Sequence, residues 1–201
     1  MMASEGVLAT LRAGWNSMQT FAAPKALIGG LALSVWNHAR YTRDTDVLVA
    51  TPPEQIDGLI AELVRAGFQP RHEPPLRTID GQGIVQFTFQ PGDALMPFQF
   101  DVLLATTPFQ REALSRAVTR RLPGDDVEVA VVRPDDLIVI KLLAGRIIDR
   151  ADAAMLLREN RSHIDFDHLH QAIVTAGLVE DYRSIWSDAF PGEPAPDRPL
   201  P

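Results

Sequence analysis

Asp44 and Asp46 stand one residue apart at the head of the apolar run Val47–Val49. Strand side chains alternate, so on a strand both carboxylates project to one face. Two anions so placed repel each other and are costly to bury. A divalent cation offsets that repulsion, and hard, oxygen-ligated Mg2+ (or Mn2+) is held by one or two carboxylates plus substrate phosphates. A third acid, Asp101, lies in the apolar segment Phe98–Leu104, where a charge needs a partner. If that segment lies beside the strand of Asp44 and Asp46, three carboxylates converge. Such a site suits two metal ions about 3.5–4 Å apart, which activate an attacking hydroxyl and stabilise a leaving pyrophosphate. Gly29-Gly30, ahead of a short helix, adds a phosphate cradle, since glycine lets the backbone approach closely and a helix start presents free N–H groups.

Cations surround this set. Arg40 and Arg43 flank the acidic pair, and their guanidinium forks match phosphate oxygens or the neighbouring carboxylates. Lys141 sits in LIVIKLLAG, apolar almost all round, so its ammonium requires an acid or a phosphate. Arg146, Asp149, Arg150 and Asp152 read as an ion network at a helix junction. Arg111, Arg116, Arg120 and Arg121 read as a solvated helix face, and His163, His168 and His170 as surface histidines. Ser34 and His38 form no nucleophile elbow, which leaves serine hydrolase chemistry without support.

The elements that position these residues follow from periodicity. Residues 4–20 carry Val7, Leu8, Leu11, Trp15 and Met18 at helical spacing behind Ser4. Strands are expected at Ala26–Ile28, Thr45–Ala50, Phe68–His72, Ile84–Phe89, Phe98–Leu104 and Val127–Val132. Thr51-Pro52-Pro53-Glu54 and Thr107-Pro108-Phe109-Gln110 both read as capping boxes, opening helices to about Arg65 and about Val118. From Pro134 onward the pattern is helical, over about 135–146, 149–159, 166–176 and 179–189. The sequence therefore predicts an α/β (α+β) fold: a mixed sheet core with its helices over 1–133, a helical C-terminal portion over 134–190, and a disordered Pro-rich tail over 191–201.

Composition narrows the setting. With 201 residues and 46% hydrophobic content, one globular unit with appended elements can bury a core unaided. The absence of cysteine removes disulfides and thiolate zinc sites, which fits a reducing cytoplasm. No stretch reads as a secretory leader or a bilayer span, so no membrane partner is expected. A net charge of −7 argues against broad duplex DNA binding.

Gly29-Gly30 followed by Arg40-x-Thr42-x-Asp44-x-Asp46 and an apolar run resembles the nucleotidyltransferase superfamily with the DNA polymerase β-type fold, nearest to its AbiEii-type toxin branch. Pro134-Asp135-Asp136-Leu137-Ile138, with Lys141, Ala144, Arg146, Asp149 and Asp152, is similar to a second block of that branch. The resemblance covers about residues 20–160. It implies magnesium-dependent transfer of a nucleoside monophosphate from an NTP to an acceptor (tRNA, protein or small molecule), and a cognate antitoxin as partner. Carried over by residue, Asp44, Asp46 and Asp101 would ligate metal, with Asp101 assisting the acceptor hydroxyl. Gly29, Gly30, Arg40 and Lys141 would hold the nucleotide. Position 30 is Gly where many active members carry Ser, so the alternative is a non-catalytic nucleotide- or protein-binding module on the same fold.

Overall fold

Apolar residues at helical spacing turn one side of α1 (Glu5–Ser17) into a buried face made of Val7, Leu8, Leu11 and Trp15. The helix lies close over a sheet strand because two of its positions are glycine. A Cβ at Gly6 would overlap the Phe98 ring, and one at Gly14 the Phe100 ring. These contacts belong to a computed structural model that describes residues 5–38, 41–92, 94–122 and 126–196.

The sheet has eight strands. Its order is β3 (Gln69–Pro70), β5 (Gln82–Phe89), β6 (Phe98–Leu104), β2 (Asp44–Val49), β1 (Lys25–Ile28), β8 (Glu128–Val131) and β7 (Val118–Arg121), with β4 (Leu76–Ile79) paired to β5. It is mixed: β2 runs parallel to β6 and β1 parallel to β8, while the other pairings are antiparallel. Alternation gives β5 and β6 one apolar face, with Val85, Phe87, Phe100 and Val102 fully or almost fully buried. Phe68 joins them, its ring 4.4 Å from Phe89 and 5.0 Å from Phe100. Helices α2 (Gly29–Val35), α3 (Ile56–Arg65) and α4 (Pro108–Ser115) complete this unit, which comprises Met1–Val35 and Ala39–Val132.

A second unit, Trp36–His38 with Arg133–Pro201, is helical throughout its regular elements: α5 (Pro134–Ala144), α6 (Ile147–Glu159), α7 (Phe166–Thr175) and α8 (Val179–Ala189). Gly145, at φ +67, ends α5 in the left-handed cap that glycine adopts without strain. Asn160 Nδ2 donates to the carbonyl of Trp36 at 2.7 Å and so ties residues 36–38 into this unit. Arg161 pairs with Glu193 at 2.8 Å, which anchors the start of the Pro-rich stretch. No helix among the described residues is long and apolar enough to cross a membrane.

The fold is thus mixed α/β with a mixed sheet, as expected, but several elements differ from their sequence reading. The box at Thr107–Gln110 forms with both reciprocal bonds. The one at Thr51–Glu54 does not: Pro52 sits at ψ 148, a 3-10 turn spans Pro53–Gln55, and α3 begins only at Ile56. The physical reason is the second proline, which holds the residue before it in extended backbone and so denies Pro52 the first helical position. The helix from Pro108 stops at Ser115 rather than near Val118, and Val118–Arg121 is strand β7. Arg120 and Arg121 therefore lie on a strand, not on a helix face. His170 is buried, with its Nε2 3.0 Å from the Tyr182 hydroxyl, and His168 is half-buried against Asp136, so only His163 of the three is exposed.

Candidate active site

The parallel register of β2 and β6 makes Asp46 and Asp101 direct cross-strand partners, and Asp44 lies opposite Gln99. Residues in register share a face, so all three carboxylates lie on the side of the sheet opposite the Phe87–Phe100 core. The row continues in both directions. On one side Ile28 of β1 is the partner of Asp46; on the other Gln86 of β5 is the partner of Asp101, and the Arg71 amide donates to the Gln86 carbonyl at 2.9 Å. Five neighbouring segments thus align Ile28, Asp46, Asp101, Gln86 and Arg71.

The turn that follows Ile28 shows why it is made of glycine. Gly29 has φ +65, and a Cβ there would run into the Asp46 side chain. At Gly30 a Cβ would come within 2.9 Å of Thr42, whose hydroxyl is hydrogen-bonded to the Asp44 backbone. The glycines therefore bring the main chain against the acid-bearing strand and the residue leading into it, and Gly29 does so in left-handed backbone that glycine adopts readily. Arg43 is exposed beside them, and Arg40 lies outside the described residues.

Asp101 is 8% exposed. Its Oδ2 accepts a hydrogen bond from Gln86 Nε2 at 3.0 Å, while its buried Oδ1 has no hydrogen-bond partner among the described residues. Burial pushes its carboxyl up from the ordinary range; the Gln86 bond pulls it down, Asp44 adds to the rise, and Arg71 and His72 oppose it. A buried carboxylate oxygen left without a donor is costly unless it meets a proton or a cation. Three carboxylates on one face form an all-oxygen donor set, which fits a hard divalent cation and not a thiolate-seeking one.

Lys141 lies in the helical unit within a network of its own. Its Nζ donates to Asp149 Oδ1 at 2.9 Å and Asp152 Oδ2 at 3.0 Å, and all three residues are buried. Arg146 reaches Asp149, and His38 Nε2 lies 3.1 Å from Asp152. Burial alone would raise the Asp149 carboxyl, but hydrogen bonds from Arg146 and Lys141 and their charges hold it below the usual range. The fourth expected member, Arg150, pairs with Asp181 of α8 instead.

A further acidic group escaped the sequence reading as a cluster. Among the described residues, the ligand atoms of Asp135, Asp136 and His168 all lie within 4.8 Å of one another. Its charges are partly met from within: Arg133 Nε is 3.3 Å from Asp135, and His168 Nε2 is 2.7 Å from Asp136. Both acids also stand in the first turn of α5, where the helix dipole favours negative charge.

The sequence reading also missed Gln86 and Arg71. Gln86 interrupts the apolar sequence of β5, but its place beside Asp101 depends on the register of the antiparallel β5–β6 pair, which the alternation of residues alone does not fix.

The family model described as "Nucleotidyl transferase AbiEii toxin, Type IV TA system" matches residues 11–191. The chain belongs to this family. Solved structures share the fold. An antigenic nucleotidyltransferase-like protein from Paracoccidioides brasiliensis superposes with TM-score 0.55 at 18% identity, covering 94% of each chain. The antibiotic-resistance factor ANT(2″)-Ia gives TM-score 0.54 at 14% identity, over 90% of this chain and 98% of that one. JHP933 from Helicobacter pylori gives 0.53 at 16% identity, over 92% and 82%. No curated protein sequence matches the chain. Membership in the AbiEii nucleotidyl transferase family makes the protein a nucleotidyltransferase, and the two glycines and the carboxylate row are the residues whose chemistry fits that activity.

Proposed function

We propose that this nucleotidyltransferase moves a nucleoside monophosphate from an NTP to an acceptor hydroxyl at the Asp44–Asp46–Asp101 face. The single observation that carries the reading is the register that pairs Asp46 with Asp101 while Gly29 rests against Asp46. Asp44, Asp46 and Asp101 would hold a divalent cation, Mg2+ or Mn2+, which supplies charge neutralisation for the triphosphate and the leaving pyrophosphate. Gly29 and Gly30 bring main chain against the phosphates. Asp101 receives the acceptor proton as the acceptor oxygen bonds to the α-phosphorus. The bond from that phosphorus to the β-phosphate oxygen breaks, and pyrophosphate leaves with the electron pair.

The word toxin in the family description supports a cognate antitoxin as partner, and an antibiotic-resistance factor of the same fold supports including small molecules among acceptors. The test is incubation of the full chain with each α-32P-labelled NTP, Mg2+ or Mn2+, and separate pools of RNA, protein and small hydroxylated molecules. Label appears on one pool with the wild type and falls about 100–10,000-fold with Asp101→Asn, the range for loss of a positioned base. Equal labelling by wild type and Asp101→Asn would refute the reading.

A further inference from the structure

Behind Asp101 a line of polar side chains leads away from the acids. Gln86 Nε2 is 3.0 Å from Asp101 Oδ2, Gln86 Oε1 is 3.2 Å from His72 Nε2, and His72 Nδ1 is 3.3 Å from Arg77 NH1. Strand pairing sets up this line: Gln86 is the register partner of Asp101, and Arg77 on β4 is the partner of Ile84, two residues from Gln86 and on the same face.

The direction of the line follows from its outer end. A guanidinium has five donors and no acceptor, so Nδ1 of His72 must accept from Arg77. An imidazole that accepts through Nδ1 carries its proton on Nε2, and Nε2–H then donates to Oε1 of Gln86. With its oxygen engaged, the amide has only its NH2 to offer, and this meets Oδ2 of Asp101. The fixed donor at one end thus settles an amide orientation and an imidazole tautomer that coordinates alone leave to assignment. Oδ2 becomes the occupied oxygen, and Oδ1 is the buried one left without a hydrogen-bond partner among the described residues.

We propose that Gln86 is a positioning residue, held in one orientation by His72 and Arg77, that fixes the rotamer of the Asp101 carboxylate by occupying its Oδ2. This deepens the function proposed above and rests on it for its catalytic consequence, but the hydrogen-bond line itself stands on geometry alone. Partners behind a ligating or basic carboxylate hold its rotamer and typically affect activity about 10–100-fold when removed. Polarised chains of this kind act as a unit, so removing either Gln86 or His72 should have a similar effect.

Two measurements test the proposal on the full chain. The first is 15N NMR of His72 in metal-free wild type at neutral to mildly alkaline pH. A protonated Nε2 with an unprotonated Nδ1 is expected, with mixed tautomers in Arg77→Met; an Nδ1–H tautomer in the wild type would overturn the line whether or not the protein transfers nucleotides. The second is the kinetics of Gln86→Met, which keeps side-chain length and loses both polar contacts. We expect kcat to fall about 10–100-fold with KM for the NTP within about twofold. His72→Leu should behave alike, and His72→Gln, which restores an acceptor and a donor in sequence, should recover most of the rate. A Gln86→Met enzyme with wild-type kcat would refute the positioning role. A wild type that shows the expected tautomer but labels no acceptor would instead overturn the reaction proposed above, and with it the catalytic part of the positioning role.

Discussion

The molecule buries aspartates in two ways. On the sheet, Asp101 is removed from water with an amide on one oxygen, no ion pair within reach among the described residues, and another carboxylate on the same face. On α6, Asp149 is also buried yet receives Lys141 and Arg146 directly. The two carboxyls shift in opposite directions, Asp101 up and Asp149 down, because desolvation is only partly offset in one and is outweighed by hydrogen-bonded cations in the other. Burial alone therefore does not mark a functional acid. What separates the two is whether the protein itself supplies the opposing charge.

Lys141→Met should show this contrast most strongly. It leaves Asp149 and Asp152 buried without their ammonium, and breaking a buried pair in this way costs about 3–5 kcal/mol. Urea denaturation of the variant against wild type at neutral pH measures it. The sign with pH follows from the lowered Asp149: its contribution is present above the unfolded carboxyl value and is lost as pH falls through the folded one, so the gap between the two proteins narrows in acid. A variant as stable as wild type at neutral pH would remove the contrast.

Gly29→Ala probes the sheet side at intermediate size. The new methyl meets the Asp46 side chain in left-handed backbone, and that backbone alone costs about 1–2 kcal/mol for a residue with a Cβ. Thermal melts of the variant are expected to show this loss, whereas Gly81→Ala, with positive φ but open space around it, reports the backbone cost without the collision. Equal losses at the two positions would mean that the close approach to Asp46 carries no weight.

Asp101→Asn has the smallest expected effect on stability and the opposite sign. Because Asp101 is raised in the fold, its ionisation costs stability once pH exceeds the folded value; the neutral amide avoids that cost. The variant should melt higher than wild type at neutral pH. Its advantage should shrink as pH falls through the raised value and disappear below the unfolded carboxyl range. A constant difference across that window would mean that Asp101 carries no desolvation penalty.

Much of this contrast was legible in the chain because its signals are local. Asp44-x-Asp46 ahead of an apolar run already places two acids on one face of a strand, and the Thr107–Gln110 box and the helices after Pro134 follow from spacing within a few residues. Whether Asp101 would join the pair depended on β6 lying beside β2, a pairing of segments more than fifty positions apart that no local pattern fixes. Gln86, His72 and Arg77 are much nearer in the chain to one another and to Asp101, but their side-chain contacts depend on strand register and on a loop conformation that spacing does not show. β4 was missed because Leu76–Ile79 is exposed throughout and shows no alternation of burial, and β7 because its two arginines read as solvated surface. The Thr51 box failed on one residue, the proline after Pro52.

The most direct test of the account is where a divalent cation binds. Mn2+ titration followed by EPR, with and without a non-hydrolysable NTP, should be run on wild type, Asp46→Asn and His168→Gln, the last altering the acidic group on α5 and α7. The account predicts NTP-enhanced Mn2+ binding that survives His168→Gln and is lost in Asp46→Asn. Binding that survives Asp46→Asn and disappears in His168→Gln would contradict it.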